Sequence, residues 1–262
     1  MKGTALTRLT GVRHPVVQTG MGWVAGPRLV SASANAGALG ILASATMPPD
    51  RLREAVREVK CRTDAPFGVN LRADAADAGD RVRILIEEGV RVASFALAPS
   101  RELIGELKEA GVVVMPTVGA RRHAEKVAAW GADAVLVQGA EGGGHTGEVA
   151  TTVLLPQVVD AVRIPVVAAG GFRRLSGLTW PRLVRDGLAL RHGKDLTWSQ
   201  VLLAANTPML LKSAMVDGRT DLGVMASGQV AGVIDDLPSC AELVERIVKE
   251  AEETLARLTD VR

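Results

Sequence analysis

The chain has 262 residues, of which 47% are hydrophobic and 23% charged, so it can bury a large core and is not a disordered chain. Its 31 basic and 29 acidic residues leave a formal charge of +2 with no long single-sign run, which argues against a nucleic-acid or polyanion binder. The two cysteines, Cys61 and Cys240, lack disulfide-scaffold or zinc spacing.

Short β-branched runs alternate with helix-forming runs from residue 14 to 171, with a period of roughly 23 residues. The predicted strands are residues 14–21, 39–46, 67–72, 91–98, 112–119, 134–141 and 165–171. A plausible crossover follows each of them, such as Asp50 to Val59 and Ser100 to Ala110. Seven such units favour a TIM-barrel-like (β/α) fold over a doubly wound sheet.

The pattern changes after Gly171. The only later strand candidate is the Gly-rich segment 222–232, so the eighth strand of a closed barrel is missing from the predicted order. Two helices are predicted, one from Leu196 to Leu210 and one that follows the capping pair Ser239 and Glu242 and reaches Leu258. We therefore expect an incomplete barrel over residues 1–171 and a helical C-terminal flank or lid over residues 172–262.

Reactive residues of parallel barrels lie where the strands end. Small residues dominate these positions, together with the amide side chains of Gln18, Asn70 and Gln138. Small residues let a flat ring lie against backbone, and amides can hydrogen-bond a heteroaromatic edge, as a flavin requires. The alternative is that the glycines and alanines only mark tight turns.

His145 follows three glycines at a predicted strand end, where it could act as a base near neutral pH or be an ordinary hydrogen-bonded loop residue. Glu141 could orient His145 or be solvated. The spacing of Gly142, Gly144 and Gly147 fits a dinucleotide fingerprint, but no helix follows at once, so we reject that interpretation. No histidine pair has metal-ligand spacing, and we expect no metal.

Five segments of the chain resemble the nitronate monooxygenase family, whose members are FMN-dependent TIM barrels. They are HPVVQTGMG (14–22), GVN (68–70), QGAEGGGHTG (138–147), LLPQVVDAV (154–162) and PVVAAGGF (165–172). The resemblance implies that His145 is the catalytic base. It also implies that the FMN-binding residues are Gly20, Met21, Gly22, Asn70, Gln138, Gly143, Gly170 and Gly171.

The tail resembles a narrower actinobacterial branch that includes flavin enzymes of steroid-ring breakdown acting on CoA thioesters. Four residues could then meet CoA phosphates or simply form a solvated basic helix: Arg185, Arg191, His192 and Lys194. The family continues after AAGGF with a helix and an eighth strand, which this sequence lacks. We therefore predict an internal deletion after Phe172.

The main hypothesis is an FMN-dependent oxidoreductase that oxidises nitronates or nitroalkanes, which are C–H acids, with His145 as base. The alternative is a flavin-dependent reductase or dehydrogenase acting on a CoA thioester in steroid-ring catabolism, and a second alternative is a flavin-free truncated remnant. We expect a small-molecule substrate, no nucleic-acid or membrane partner, and a possible homo-oligomer. No signal peptide or membrane span is evident in the sequence, so a cytoplasmic location is expected.

Overall fold

A computed structural model describes residues 3–97, 99–143, 147–170, 214, 216–219 and 234–259. The strands are β1 (Val17–Gln18), β2 (Leu39–Ala43), β3 (Phe67–Arg72), β4 (Val92–Ala96), β5 (Val113–Val118), β6 (Val135–Gln138) and β7 (Val166–Ala169). The helices with described bounds are α1 (Ala5–Thr10), α2 (Pro27–Asn35), α3 (Pro49–Arg62), α4 (Ala78–Glu87), α5 (Arg101–Glu109), α6 (Arg121–Ala129), α7 (Thr151–Ala161) and α8 (Cys240–Thr259).

The seven strands form one sheet in chain order, and each neighbouring pair is parallel. Helices α2 to α7 connect successive strands, as parallel pairing requires. The register is continuous through the middle of the sheet, where Ile41 lies beside Gly68 and Gly68 beside Val92. All seven predicted strands are confirmed, and the fold is TIM-barrel-like.

The inner face of the sheet carries an apolar cluster that is buried when the sheet curls. Residues from β2, β4, β5 and β6 form this cluster: Leu39, Ile41, Val92, Val113, Met115 and Leu136. Val17 of β1 and Val167 of β7 pack against the same cluster, although their strands stand at opposite ends of the sheet order. The sheet therefore curls toward a barrel, and Leu6 of α1 and the following Val12 contribute to its interior.

The outer face of the sheet is covered by the connecting helices. Gly40 shows how closely they approach, because a Cβ there would stand 2.4 Å from the carbonyl oxygen of Val30 in α2. Between α3 and α4, the guanidinium groups of Arg53 and Arg57 lie 2.9 and 2.8 Å from Glu88 Oε1. Glu88 is itself buried, so this ion pair fixes the two helices on the sheet.

Helix α8 starts at the predicted capping box. The Ser239 backbone amide and hydroxyl both donate to Glu242 Oε2 at 2.8 Å, and the Glu242 amide donates back to Ser239 Oγ at 3.3 Å. Val244 and Val248 pack against Ala36 and Ala38, which lie at the end of α2, before β2 begins. This end of α8 thus lies near the amino end of β2.

The predicted helix 196–210, the segment 222–232 and the basic residues 185–194 lie outside the described residues. The division at residue 171 stays a prediction. Within the part of the chain that is described, no helix combines the length and the apolar character needed to cross a bilayer.

Candidate active site at the carboxyl ends of the strands

The barrel interior changes from apolar to polar toward the carboxyl ends of the strands. Alternation along each strand puts four polar residues on the same face as the apolar cluster: Asn70 of β3, Ser94 of β4, Thr117 of β5 and Gln138 of β6. The Asn70 side chain links two of these strands, because its Nδ2 donates to Ser94 Oγ at 3.4 Å. A layer of neutral donors and acceptors therefore tops an apolar core.

Gly20 and Asn70, both predicted at strand ends, meet at this layer. A Cβ at Gly20 would stand 2.4 Å from Asn70 Cβ and 3.0 Å from its Cγ, so a side chain there would displace the amide. Asn70 is buried. The glycine keeps space beside the amide, and the contact joins the end of β1 to β3.

A buried arginine holds the loop after β2 against Asn70. Ser44 Oγ donates to the Asn70 carbonyl oxygen at 2.7 Å, and Arg81 of α4 donates to the carbonyl oxygens of Ser44 at 2.9 Å and Met47 at 2.8 Å. Asp77 lies 2.8 Å from the same guanidinium, and this contact lowers the pKa of the Asp77 carboxyl. This hydrogen-bonded chain fixes the backbone that carries Asn70.

Gln138 and three glycines form a close-packed group at the end of β6 and β7. Gln138 Nε2 donates to the Gly143 carbonyl oxygen at 2.6 Å. A Cβ at Gly142 would stand 2.6 Å from Gln138 Nε2, and one at Gly170, where φ is +77°, would stand 2.7 Å from Gly142 Cα. The predicted residues Gln138, Gly143 and Gly170 are therefore brought together, and close packing requires glycine at positions 142 and 170.

Glu141 caps helix α7. Its carboxylate accepts hydrogen bonds from the Thr151 amide at 2.8 Å and the Thr151 hydroxyl at 2.7 Å. Burial alone would raise the pKa of Glu141, but these hydrogen bonds outweigh it and lower the pKa. This carboxylate therefore binds the helix N-terminus, a role that the sequence analysis did not consider, and its predicted relation to His145 stays a prediction.

Met21 and Gly22 lie in the tight turn after β1. The Met21 carbonyl oxygen accepts from the amides of Val24 at 3.1 Å and Ala25 at 2.8 Å. A Cβ at Gly22 would make only an ordinary contact, 3.5 Å from Thr46 Cγ2. Packing within the described chain therefore does not require a glycine at position 22, in contrast to Gly20.

His145 and Gly171 lie outside the described residues, so their predicted roles stay predictions. In the described ranges no group of three or more His, Cys, Asp or Glu side chains could hold a metal ion.

The described residues fit a flat heteroaromatic cofactor in two respects. The space next to Asn70 and Gln138 exists because glycines stand where any Cβ would fill it. In addition, Gln18 Oε1 is buried without a hydrogen-bond donor among the described residues, while its Nε2 donates to the Ile41 carbonyl oxygen at 3.3 Å. A buried acceptor without a partner costs about 1–3 kcal/mol, so an additional donor is expected there.

The sequence analysis missed Ser94, Thr117 and Arg81. Ser94 and Thr117 could have been found by counting in twos from the apolar residues of their strands, since Val92 precedes Ser94 and Met115 precedes Thr117 on the inner face. Arg81 carries no comparable signal, because it stands among charged residues of an amphipathic helix.

The curled parallel sheet and its polar upper layer define a (β/α)-barrel enzyme with a small-molecule site at the carboxyl ends of its strands. The sequence profile of one family, Nitronate monooxygenase, matches residues 3–179. The chain belongs to the nitronate monooxygenase family and is an oxidoreductase of that family.

Two similar proteins carry the name (3aS,4S,5R,7aS)-5-hydroxy-7a-methyl-1-oxo-octahydro-1H-indene-4-carboxyl-CoA dehydrogenase. The protein of Mycobacterium tuberculosis is 52% identical and the alignment covers 95% of this chain and 96% of the relative. The protein of Rhodococcus jostii is 47% identical, with 99% and 98% covered. Among solved structures, FabK from Thermotoga maritima superimposes with a TM-score of 0.87 at 33% identity and covers 100% of both chains.

Both alignments are longer than the part of this chain that they cover. The alignment with the Mycobacterium tuberculosis protein has 339 columns, whereas 95% of 262 residues is about 249, so about 90 columns have no residue of this chain. The Rhodococcus jostii alignment has 347 columns against about 259 residues, which leaves about 88. The predicted internal deletion agrees with both values, and its position after Phe172 lies outside the described residues.

Proposed function

We propose that this chain is an FMN-dependent dehydrogenase that acts on the CoA thioester of a fused-ring carboxylic acid, as in steroid-ring breakdown. The observation that carries the proposal is the near full-length similarity to two dehydrogenases named for such a thioester. The nitronate oxidation given as the main hypothesis above is not confirmed. It has the family name as its support and becomes an alternative outcome of the test.

Oxidation of a secondary alcohol to a ketone removes a proton from oxygen and a hydride from carbon. A bound flavin would supply the two-electron acceptor for the hydride. Asn70 and Gln138 present neutral amides suited to hydrogen bonds with the ring edge. His145 is the proposed base that takes the hydroxyl proton, since an imidazole exchanges protons near neutral pH.

The test is anaerobic mixing of the purified protein, loaded with FMN, with three possible electron donors in separate experiments. These are an octahydroindene-carboxyl-CoA thioester that carries a ring hydroxyl, propionate 3-nitronate, and NADH or NADPH. Bleaching of the visible flavin absorbance by the hydroxylated thioester supports the proposal. Bleaching by the nitronate with no response to the thioester would favour the alternative activity.

The proposed base is tested by His145→Ala, with His123→Ala on helix α6 as the matched control. We expect the first variant to retain its flavin and lose at least about a hundredfold in the rate of bleaching, the ordinary contribution of a general base. The control should react like the unmodified chain. An unchanged rate in His145→Ala would remove His145 from the mechanism.

A second candidate function, a flavin-free remnant, is favoured by the alignment columns, about 90 in number, that have no residue of this chain. In the family this part of the chain follows the AAGGF segment and contributes an eighth strand beside the cofactor phosphate. Titration of the colourless protein with FMN, followed by quenching of flavin fluorescence, distinguishes the two. Saturable quenching with one equivalent supports the enzyme, and no quenching supports the remnant.

A further inference from the structure

Trp23 and Leu97 combine two unfavourable properties. Their φ angles are 61° and 74°, and within the described ranges they are the only residues other than glycine with positive φ. Both are also large apolar side chains exposed to solvent, Trp23 at 36% and Leu97 at 47%. The left-handed backbone conformation costs a non-glycine residue about 1–2 kcal/mol. Because these side chains are exposed, burial of apolar surface does not offset that cost in the chain alone.

The strained backbone of Trp23 is held by ordered structure. The amides of Val24 and Ala25 on its C-terminal side both donate to the Met21 carbonyl oxygen, and the Ala25 carbonyl oxygen accepts from Ala43 at the end of β2. The turn is thus closed by its own hydrogen bonds and joined to the sheet through Ala43. A conformation of this kind persists only where the surrounding structure imposes it, and such sites concentrate where ligands bind.

Both residues follow strands that end beside the polar layer or contribute to it. Trp23 follows β1 and Leu97 follows β4, and the strands between them are β2 and β3. Three strand spacings of about 4.8 Å separate β1 from β4 by about 14 Å along the sheet. Asn70 lies on β3, between them in the strand order, and its side chain donates to Ser94 on the strand that Leu97 follows. Exposed apolar side chains next to a buried polar pair suit a fused bicyclic ring that carries oxygen substituents.

We propose that Trp23 and Leu97 are specificity-determining residues that bind the fused-ring part of the acyl group. This inference rests on the proposed function. Two apolar side chains give favourable burial to a hydrocarbon ring and none to the phosphates of CoA, so they discriminate among acyl groups while leaving recognition of the CoA moiety to other residues.

The test compares binding of two thioesters by calorimetric titration of the purified full-length chain. One is an octahydroindene-carboxyl-CoA and the other is acetyl-CoA, which lacks the ring. The variants are Trp23→Gly and Leu97→Gly, and the control is Val159→Ala on α7, which removes exposed apolar surface elsewhere. We expect each glycine variant to bind the ring-bearing thioester about tenfold more weakly and acetyl-CoA with unchanged affinity.

Thermal unfolding gives the second measurement. Glycine relieves the positive φ, so both variants should unfold at the temperature of the unmodified chain or above it. A side chain needed only for folding would instead lower this temperature. Equal affinity of variant and unmodified chain for the ring-bearing thioester overturns the inference and leaves the proposed function intact. If the unmodified chain does not bind that thioester, the proposed function fails, and this inference fails with it.

Discussion

The central strands and the two end strands of the sheet differ in how firmly they are held. All five residues of β2 are buried, and β3 and β4 share five paired positions. By contrast, β1 has two residues, and β7 includes the exposed Ala168. The end strands follow the same alternation as the central ones, so the difference arises from neighbours on both sides rather than from local sequence.

This difference divides the candidate site. Asn70 and Ser94 lie on strands that are paired on both sides, and Arg81 braces the loop beside them. Gln138 lies on β6, next to the terminal strand β7, and Gly170 directly follows β7; there close packing of glycines takes the place of a deep core. Asn70 therefore has the more rigid support, and the group of Gln138 and its glycines has the less rigid one.

The largest expected effect comes from truncating the core of a central strand. Phe95 of β4 is fully buried, so Phe95→Ala should lower the free energy of unfolding by about 3–5 kcal/mol, through lost burial and the cavity left behind. Val167→Ala on β7 removes a partly exposed side chain and should cost about 1 kcal/mol or less. Urea unfolding measures both. Equal losses would show that the end strand is as well packed as the centre.

Glycines give a second comparison. Gly40→Ala places a Cβ 2.4 Å from a backbone oxygen of α2 and should cost about 2–3 kcal/mol, because the helix must shift. Gly170→Ala meets another glycine at 2.7 Å and should cost about 1–2 kcal/mol, mostly from its positive φ. Gly105→Ala on α5 has open space and should stabilise by about 0.5–1 kcal/mol. A smaller loss for Gly40→Ala than for Gly170→Ala would contradict the comparison.

The sequence was sufficient to predict the strands, because short β-branched runs, which suit strands buried on both faces, alternate with helical runs about every 23 residues. It also predicted that Gly20 and Asn70 both lie at strand ends, and the carboxyl ends of parallel strands share one edge, where the structure brings these residues into contact. The role of Glu141 could not be predicted, because its partner Thr151 is ten residues away and the loop between them follows no repeat. Arg81 was missed for the same reason, since its acceptors are backbone oxygens of another loop.

The ion pair of Glu88 with Arg53 and Arg57, which joins the helices that flank β3, gives the next smaller effect. Hydrogen bonds from Arg57 outweigh burial and lower the pKa of Glu88 below its ordinary value of 4.5, with Arg53 adding to the shift. The ion pair therefore contributes its full stability above that value, and the contribution disappears as pH falls through the lowered pKa. Glu88→Gln should cost about 1–2 kcal/mol at neutral pH. The unfolding temperatures of the unmodified chain and of Glu88→Gln should converge at acidic pH. A difference that stays constant with pH would show that loss of the ion pair is not the cause of the destabilisation.

Glu141 gives the matching experiment at the end of the sheet and the smallest expected effect. Burial would raise the pKa of Glu141, but the hydrogen bonds from Thr151 lower it, so its stabilisation is also complete above 4.5 and lost below the folded value. Glu141→Gln keeps an acceptor for the α7 amide and loses the charge at the helix N-terminus, which should cost about 1 kcal/mol. Thermal unfolding from acidic to neutral pH measures it.

The position of Glu141 adds a distinction that Glu88 does not offer. Gly142 and Gly143 directly follow Glu141, and both contact Gln138. If the β6–β7 end of the sheet is less rigid than its centre, Glu141→Gln should weaken FMN binding as well as stability. Glu88→Gln should lower stability alone. Fluorescence titration with FMN separates the two variants. If Glu88→Gln binds FMN more weakly than Glu141→Gln does, the centre of the sheet and not its β6–β7 end is the less rigid support of the site.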